Sequence, residues 1–246
     1  MNKLNYNLRK MALLLSGRRR KHDLFLSLGH NCEVAYRYFR SNGFCESAIF
    51  QWGGFFTLRE LVYGLEHWDL VYTGEVIGPN PIYRCANTRM NAHGRAPMSD
   101  WAGGITEANR AAMEADCADM LGRVAHLKVK FVRQLQAGGT LLVYKMRSEC
   151  WLAEDCEDMV RRLYAALERF GARDFDLVFV LERKCAAKVR SFDLPRTFIR
   201  YVDAHSPDDH SAEDCYGDRY GWRLIFDEFS PKMRKQQTHK FKFEHR

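Results

Sequence analysis

The sequence lacks the short signatures that would announce a nucleotide or a metal. Neither G-x-G-x-x-G nor G-x-x-x-x-G-K-[ST] occurs, so no dinucleotide turn and no phosphate-cradling loop is expected. None of the eight cysteines forms a C-x-x-C pair, and His205, His210 and Cys215 are spaced unlike any standard zinc set, so no metal is expected either. Repeats and low-complexity tracts are missing, and only six prolines interrupt 246 residues, which leaves no visible interdomain linker. Near the N-terminus the one apolar stretch, residues 11–15 (MALLL), is shorter than a signal peptide's apolar core and far shorter than a membrane span. The expected location is the cytoplasm, with membrane association at most peripheral.

A hydrophobic content of 46% over this length is enough to build a substantial core without disulfides, so the cysteines read as reduced thiols. The net charge of +7 is concentrated at the two ends. Residues 1–22 form a basic N-terminal arm carrying Arg18, Arg19, Arg20 and Lys21, residues 232–246 (KMRKQQTHKFKFEHR) form a basic tail, and 23–231 form a single domain closer to neutrality. Both ends are expected to be solvated and dispensable for folding, with the arm the place for any contact with anionic lipid. The aromatics sit mostly in apolar runs, not interleaved with lysines, which argues against nucleic acid as a partner.

The chain alternates apolar runs with helical patterns. Residues 23–28 (DLFLSL) read as a strand, Gly29 as a tight turn, and 33–40 as a helix. Residues 43–101 are irregular, with one helix expected at 57–67, and form a loop-rich insertion over a site. A long helix is expected at 106–135, ended by Gly138 and Gly139, and another at 153–170, stopped by Gly171. Residues 140–146, 176–181 and 197–202 read as buried strands. The expectation is an α/β fold with a mainly parallel sheet and helices on both faces.

In such sheets ligands bind at the carboxyl ends of the strands. That rule selects His30, Asn31 and Cys32 after the first strand, Arg147 after the second, and Asp203, His205, Asp208 and His210 after the last. Cys32, in the first turn of a helix, would feel the positive end of the helix dipole and unpaired N–H groups, which favour a thiolate nucleophile and could stabilise an oxyanion. The alternative role for Cys32 is a small packing thiol. His205 is the expected base, with Asp203 or Asp208 orienting its imidazole, and His93 in the loop NAHGRAP is the rival.

The stretches SLGHNCEVAYRYF (27–39) and AIFQWGG (48–54) resemble the bacterial family described as papain-like cysteine peptidases, a domain of unknown function. Its Ser-Leu-Gly strand end, Asn-Cys pair and Phe-Asp-Trp motif match Gly29, Asn31, Cys32, Phe50 and Trp52, with Gln51 in place of the family's aspartate. The similarity continues through VKFVRQLQAGGTLLVYKMR and GWRLIFDEF. The resemblance implies a cysteine nucleophile, and Asn31, Gln51, Trp52 and His93, together with Arg147 at its strand end, are the residues expected to bind substrate. The alternating strands are closer to a three-layer flavodoxin or SGNH-hydrolase layout than to papain. The Gly-x-Asn-Cys turn is also similar to that of capsule-biosynthesis proteins that transfer acetyl groups to polysaccharide. The reading is therefore an acyl transferase or hydrolase acting on an anionic small molecule, glycan or glycoconjugate, with acyl-CoA as a candidate donor. The alternatives are a cysteine peptidase, or a non-enzymatic module for anionic glycan, lipid surface or nucleic acid.

Overall fold

Runs that are apolar on both faces form the centre of the molecule, as expected for strands covered by helices on either side. The computed structural model describes residues 1–29, 33–43, 48–50, 53–73, 76–77, 82–95, 106–146, 156–185, 191–204 and 218–229, with backbone only at Val76, Ile77, Ile82 and His93. In chain order the elements are α1 (Lys3–Leu15), β1 (Leu24–Ser27), α2 (Glu33–Asn42), β2 (Gly53–Gly54), α3 (Leu58–Glu66), β3 (Val76–Ile77), β4 (Ile82–Cys85), β5 (Asn91–His93), α4 (Glu107–Ala137), β6 (Thr140–Lys145), α5 (Cys156–Arg169), β7 (Phe175–Glu182), β8 (Thr197–Val202) and α6 (Arg219–Glu228). Short 3-10 turns follow α3 and β7.

The four expected strands make one parallel sheet in the order β1-β6-β7-β8. Their side chains alternate between two cores. Leu26, Leu142, Tyr144, Leu177 and Phe179 face α3, α4 and α5. Phe25, Leu141, Val143, Val178 and Val180 face α2 and α6, where Trp222 and Phe226 pack. The result is the three-layer α/β architecture, with helices on both faces of the sheet. Each fully buried aliphatic or aromatic side chain contributes about 1.5–3 kcal/mol, which is why these runs fix the fold.

Helix ends follow their capping residues. Thr57 accepts the Glu60 amide at the start of α3, and Thr106 and Asn109 form a reciprocal capping box at the start of α4. Gly138 and Gly139, both at positive φ, then turn the chain into β6.

Two expectations change. The insertion expected to be loops contains a second, four-stranded antiparallel sheet in the order β2-β5-β4-β3, which packs into the same core as α4. The N-terminal arm is a docked helix instead of a solvated segment. Tyr6 of α1 is buried, donates its hydroxyl to Asp227 at 2.6 Å and lies 5.6 Å from the Tyr220 ring. The Met1 amine pairs with Asp203 at 2.7 Å and Asp218 at 3.1 Å. Among the described residues no helix is long and apolar enough to cross a membrane.

Candidate functional site

The carboxyl end of β1 is where sequence and topology both point. Leu28 donates its amide to Val143 at 2.8 Å, prolonging the β1–β6 ladder by one step, and Gly29 then turns away at φ +93°. A Cβ at Gly29 would lie 3.0 Å from the Gly54 Cα and 3.2 Å from the Gly53 carbonyl oxygen. At Gly53 it would lie 2.3 Å from the Asn91 carbonyl oxygen. Three stretches of backbone, after β1, in β2 and in β5, therefore meet at a separation only glycine permits. The small sheet is held on its other side by Tyr83, whose hydroxyl donates to Asp116 of α4 at 2.9 Å, while the Arg95 amide donates to the other oxygen of that carboxylate at 2.8 Å.

Next to this meeting point lies a buried ion pair. Glu33, the first residue of α2, accepts the Trp222 indole N–H at 2.8 Å through one oxygen and the Lys145 ammonium through the other. The side chains of Glu33 and Lys145 are only 4% and 12% exposed. Lys145 is the last residue of β6, so the pair joins the end of that strand to the first turn of α2, and Trp222 ties both to α6. A carboxylate in the first turn of a helix is also favoured by the helix dipole.

Most of the expected site residues, Asn31, Cys32, Gln51, Trp52, Arg147, His205 and Asp208, lie outside the described residues, as do His30 and His210. α2 starts one residue after Cys32, and β2 starts one residue after Trp52. β5, which ends at His93, pairs with β2 through Gly53↔Ala92 and Gly54↔Asn91. The Gly29 turn, β2 and β5 thus share one point of close backbone contact. β8 lies at the other edge of the sheet, three strands from β1, or about 14 Å at the usual strand spacing.

Asp203, expected to orient the base, has a different engagement. Its carboxylate accepts from the Met1 amine at 2.7 Å and from Arg183 at 2.8 Å. Burial works against its ionisation, but these two cations hold its pKa below the usual carboxylate value. It closes a clamp between β8 and α1, and that cationic engagement leaves it poorly suited to orienting an imidazole beside residue 32.

Sequence reasoning missed the Glu33–Lys145–Trp222 network, whose only local signal was an acid directly after the candidate nucleophile. It also missed a second cluster at the opposite, amino end of the sheet. There Asp176 of β7, fully buried, accepts from His22 at 2.9 Å, from Arg196, and from Arg20 at 3.4 Å. Burial would raise the Asp176 pKa, but the hydrogen bonds of His22 and Arg196 and their charge bring it below the ordinary value. The other His22 ring nitrogen, Nδ1, is buried without a hydrogen-bond partner among the described residues.

Cys85, Cys117, Cys156 and Cys185, the four described cysteines, are not joined in disulfides, and Cys85 is wholly buried. Among the described residues no group of His, Cys, Asp or Glu side chains is placed to hold a metal ion. Comparison of the chain with protein-family models, with curated proteins and with solved structures returned no match.

Proposed function

We propose that this protein transfers or hydrolyses an acyl group on an anionic glycan or glycoconjugate, with Cys32 as nucleophile. One observation carries the reading. Three of the four stretches that resemble the papain-like cysteine peptidase family meet in space, since Glu33 comes from SLGHNCEVAYRYF, Lys145 from VKFVRQLQAGGTLLVYKMR and Trp222 from GWRLIFDEF, and all three residues join in the buried network at the carboxyl end of β1 and β6. That network fixes the first turn of α2 immediately after Cys32, and a fixed helix N-terminus is what a low-pKa thiol and an oxyanion site require.

In the proposed reaction the thiolate sulfur bonds to the acyl carbonyl carbon, and the bond from that carbon to the leaving alkoxide or thiolate breaks. An imidazolium protonates the leaving group. Water or a glycan hydroxyl then cleaves the thioester, its oxygen bonding to the acyl carbon and its proton passing to the imidazole as the carbon–sulfur bond breaks, which restores the thiolate and the imidazolium. We assign the imidazole to His93, because β5 is packed through β2 against the Gly29 turn, whereas His205 follows the strand at the far sheet edge. We assign Asn31, Gln51 and Trp52 to binding the substrate, and Arg147, two residues beyond Lys145, to its anionic group. An acyl-CoA would serve as donor for the transferase direction.

The test is the pH dependence of iodoacetamide labelling at Cys32. Labelling well below pH 8 that is lost in His93→Ala and kept in His205→Ala supports the assignment, and the reverse pattern exchanges the two histidines. Cys32→Ser should keep the melting temperature and abolish acyl transfer. A Cys32 that labels only above pH 8 would make the chain a binding module with a packing thiol.

A further inference from the structure

Among the described residues, Tyr6 and Lys10 hold α1 from one side. Tyr6 and Lys10 face α6, where both reach Asp227, the ammonium at 3.2 Å. On the opposite side Leu4, Leu8, Met11 and Leu15 follow one another at steps of four, three and four residues, the spacing of a single helical stripe. These four side chains are between 54% and 89% exposed, and Leu14 beside them is 51% exposed. They make up more than half of the large exposed hydrophobic residues described, all on one helix. Single exposed apolar side chains are ordinary, whereas a contiguous stripe marks an interaction surface.

The charge around the stripe selects its partner. Seven Lys and Arg side chains precede Asp23 and no Asp or Glu does. Arg18, Arg19, Arg20 and Lys21 follow the helix directly. Arg20 is partly used by Asp176, and Arg19 donates to the Asp227 carbonyl, while Arg18 and Lys21 lie on exposed chain. A second copy of α1 would bring two acid-free, basic segments together. The chain's own residues 232–246 are basic as well. The surface that complements exposed leucines followed by the exposed cations Arg18 and Lys21 is an anionic lipid bilayer, with the helix in the interfacial plane and its apolar stripe among the acyl chains.

We propose that α1 is a preformed, docked membrane-binding helix that seats the protein on anionic lipid through Leu4, Leu8, Met11 and Leu15. The inference is independent of the chemistry assigned to Cys32. A solvated arm would have to order on binding, whereas α1 is already folded and aimed outward, which removes that cost.

The experiment is co-sedimentation of the full chain with vesicles of phosphatidylcholine alone and of phosphatidylcholine with about 30 mol % phosphatidylserine. Binding is expected only to the anionic vesicles. The double substitution Leu8→Asn with Met11→Asn should weaken it about tenfold or more, and Arg18→Glu with Lys21→Glu should weaken it and flatten its dependence on salt. The melting temperature should be unchanged in both variants, because all four side chains face outward. Equal binding to neutral vesicles, or anionic binding indifferent to Leu8 and Met11, overturns the proposal. So does a large fall in melting temperature, which would mean that the chain itself covers the stripe. A dimer in light scattering that the Leu8 and Met11 substitutions dissociate would assign the stripe to a second copy and also overturn it.

Discussion

Removing the Lys145 ammonium isolates what the buried ion pair does. Lys145→Met keeps the length and most of the apolar stem but removes the Lys145 ammonium from the Glu33 carboxylate, which is 4% exposed. Two unit charges 4 Å apart interact by about 4 kcal/mol at an effective dielectric of 20, and breaking a buried pair from one side typically costs about 3–5 kcal/mol because the remaining charge is desolvated. Trp222 still donates to Glu33 at 2.8 Å, which offsets part of this, so the lower end, about 3 kcal/mol, is the expected loss. Glu33→Gln strands the ammonium in the same way. The double variant removes both charges of this pair and keeps a carbonyl oxygen for the Trp222 N–H, so it should lie within about 1–2 kcal/mol of the parent. The coupling energy from the cycle is therefore expected at about 3 kcal/mol or more. Urea unfolding followed by tryptophan fluorescence reads it, at low and high salt, since a pair this buried should respond little to screening. Costs that simply add, or single variants that each lose under about 1 kcal/mol, would show that the pair is solvated and does not fix α2.

Two further outcomes are expected. Gly53→Ala places a methyl group 2.3 Å from the Asn91 carbonyl oxygen and should lose about 2 kcal/mol or more, because backbone on both sides cannot yield; Gly122→Ala, in open space on α4, should instead gain about 0.5–1 kcal/mol, and thermal melts of the two compare them directly. Asp176 ionises more readily in the folded chain than in the unfolded one, so its stabilisation is complete above an ordinary carboxylate pKa of about 3.9 and is lost as pH falls through the lower folded value. Asp176→Asn should therefore be markedly less stable at pH 7 and show a shallower acid limb in urea midpoints taken from pH 7 to pH 3, whereas an acid limb as steep as the parent's would place the titration elsewhere.

The parallel sheet was legible because burial on both faces makes each strand a run with few polar interruptions. Residues 197–202 match β8 at both ends, and 140–146 overshoots β6 by one residue. Helices α3 and α4 were legible from periodicity and start one residue after the expected Thr57 and Thr106, which are their caps. The antiparallel sheet was not legible, since β2 and β3 are two residues long and β2 is Gly53–Gly54, with no side chain to carry a pattern. It forms through backbone approach and the anchoring of Tyr83, which only the assembled α4 supplies. The docking of α1 was hidden for a related reason. Its inward contacts are Met1, Tyr6 and Lys10, too few to outweigh a basic composition, and its leucines point the other way. At the candidate site the strand, the glycine turn and the start of α2 could be read locally, but Glu33 and Lys145 are 112 positions apart and nothing near either announces the other.

The two ends of the parallel sheet are built for different tasks. At the amino end charge closes on charge, with Asp176 holding His22, Arg20 and Arg196, and with Asp174 paired to Arg196 while both residues stand at positive φ. Backbone held in that region by tertiary contacts stores strain of about 1–3 kcal/mol per residue, and here the ion pairs oppose its release. At the carboxyl end of β1 the order is supplied differently, by three glycine-permitted backbone contacts and one buried ion pair. Glycine contacts of this kind tolerate no added atom, so the small sheet cannot slide across the turn after Gly29 without separating from it. A roof fixed to the floor in this way, and anchored again to α4 through Tyr83 and Asp116, holds β2, β5 and the Gly29 turn in one arrangement before any ligand arrives. Chemistry that depends on an oriented thiolate needs that preorganisation more than it needs a closing lid.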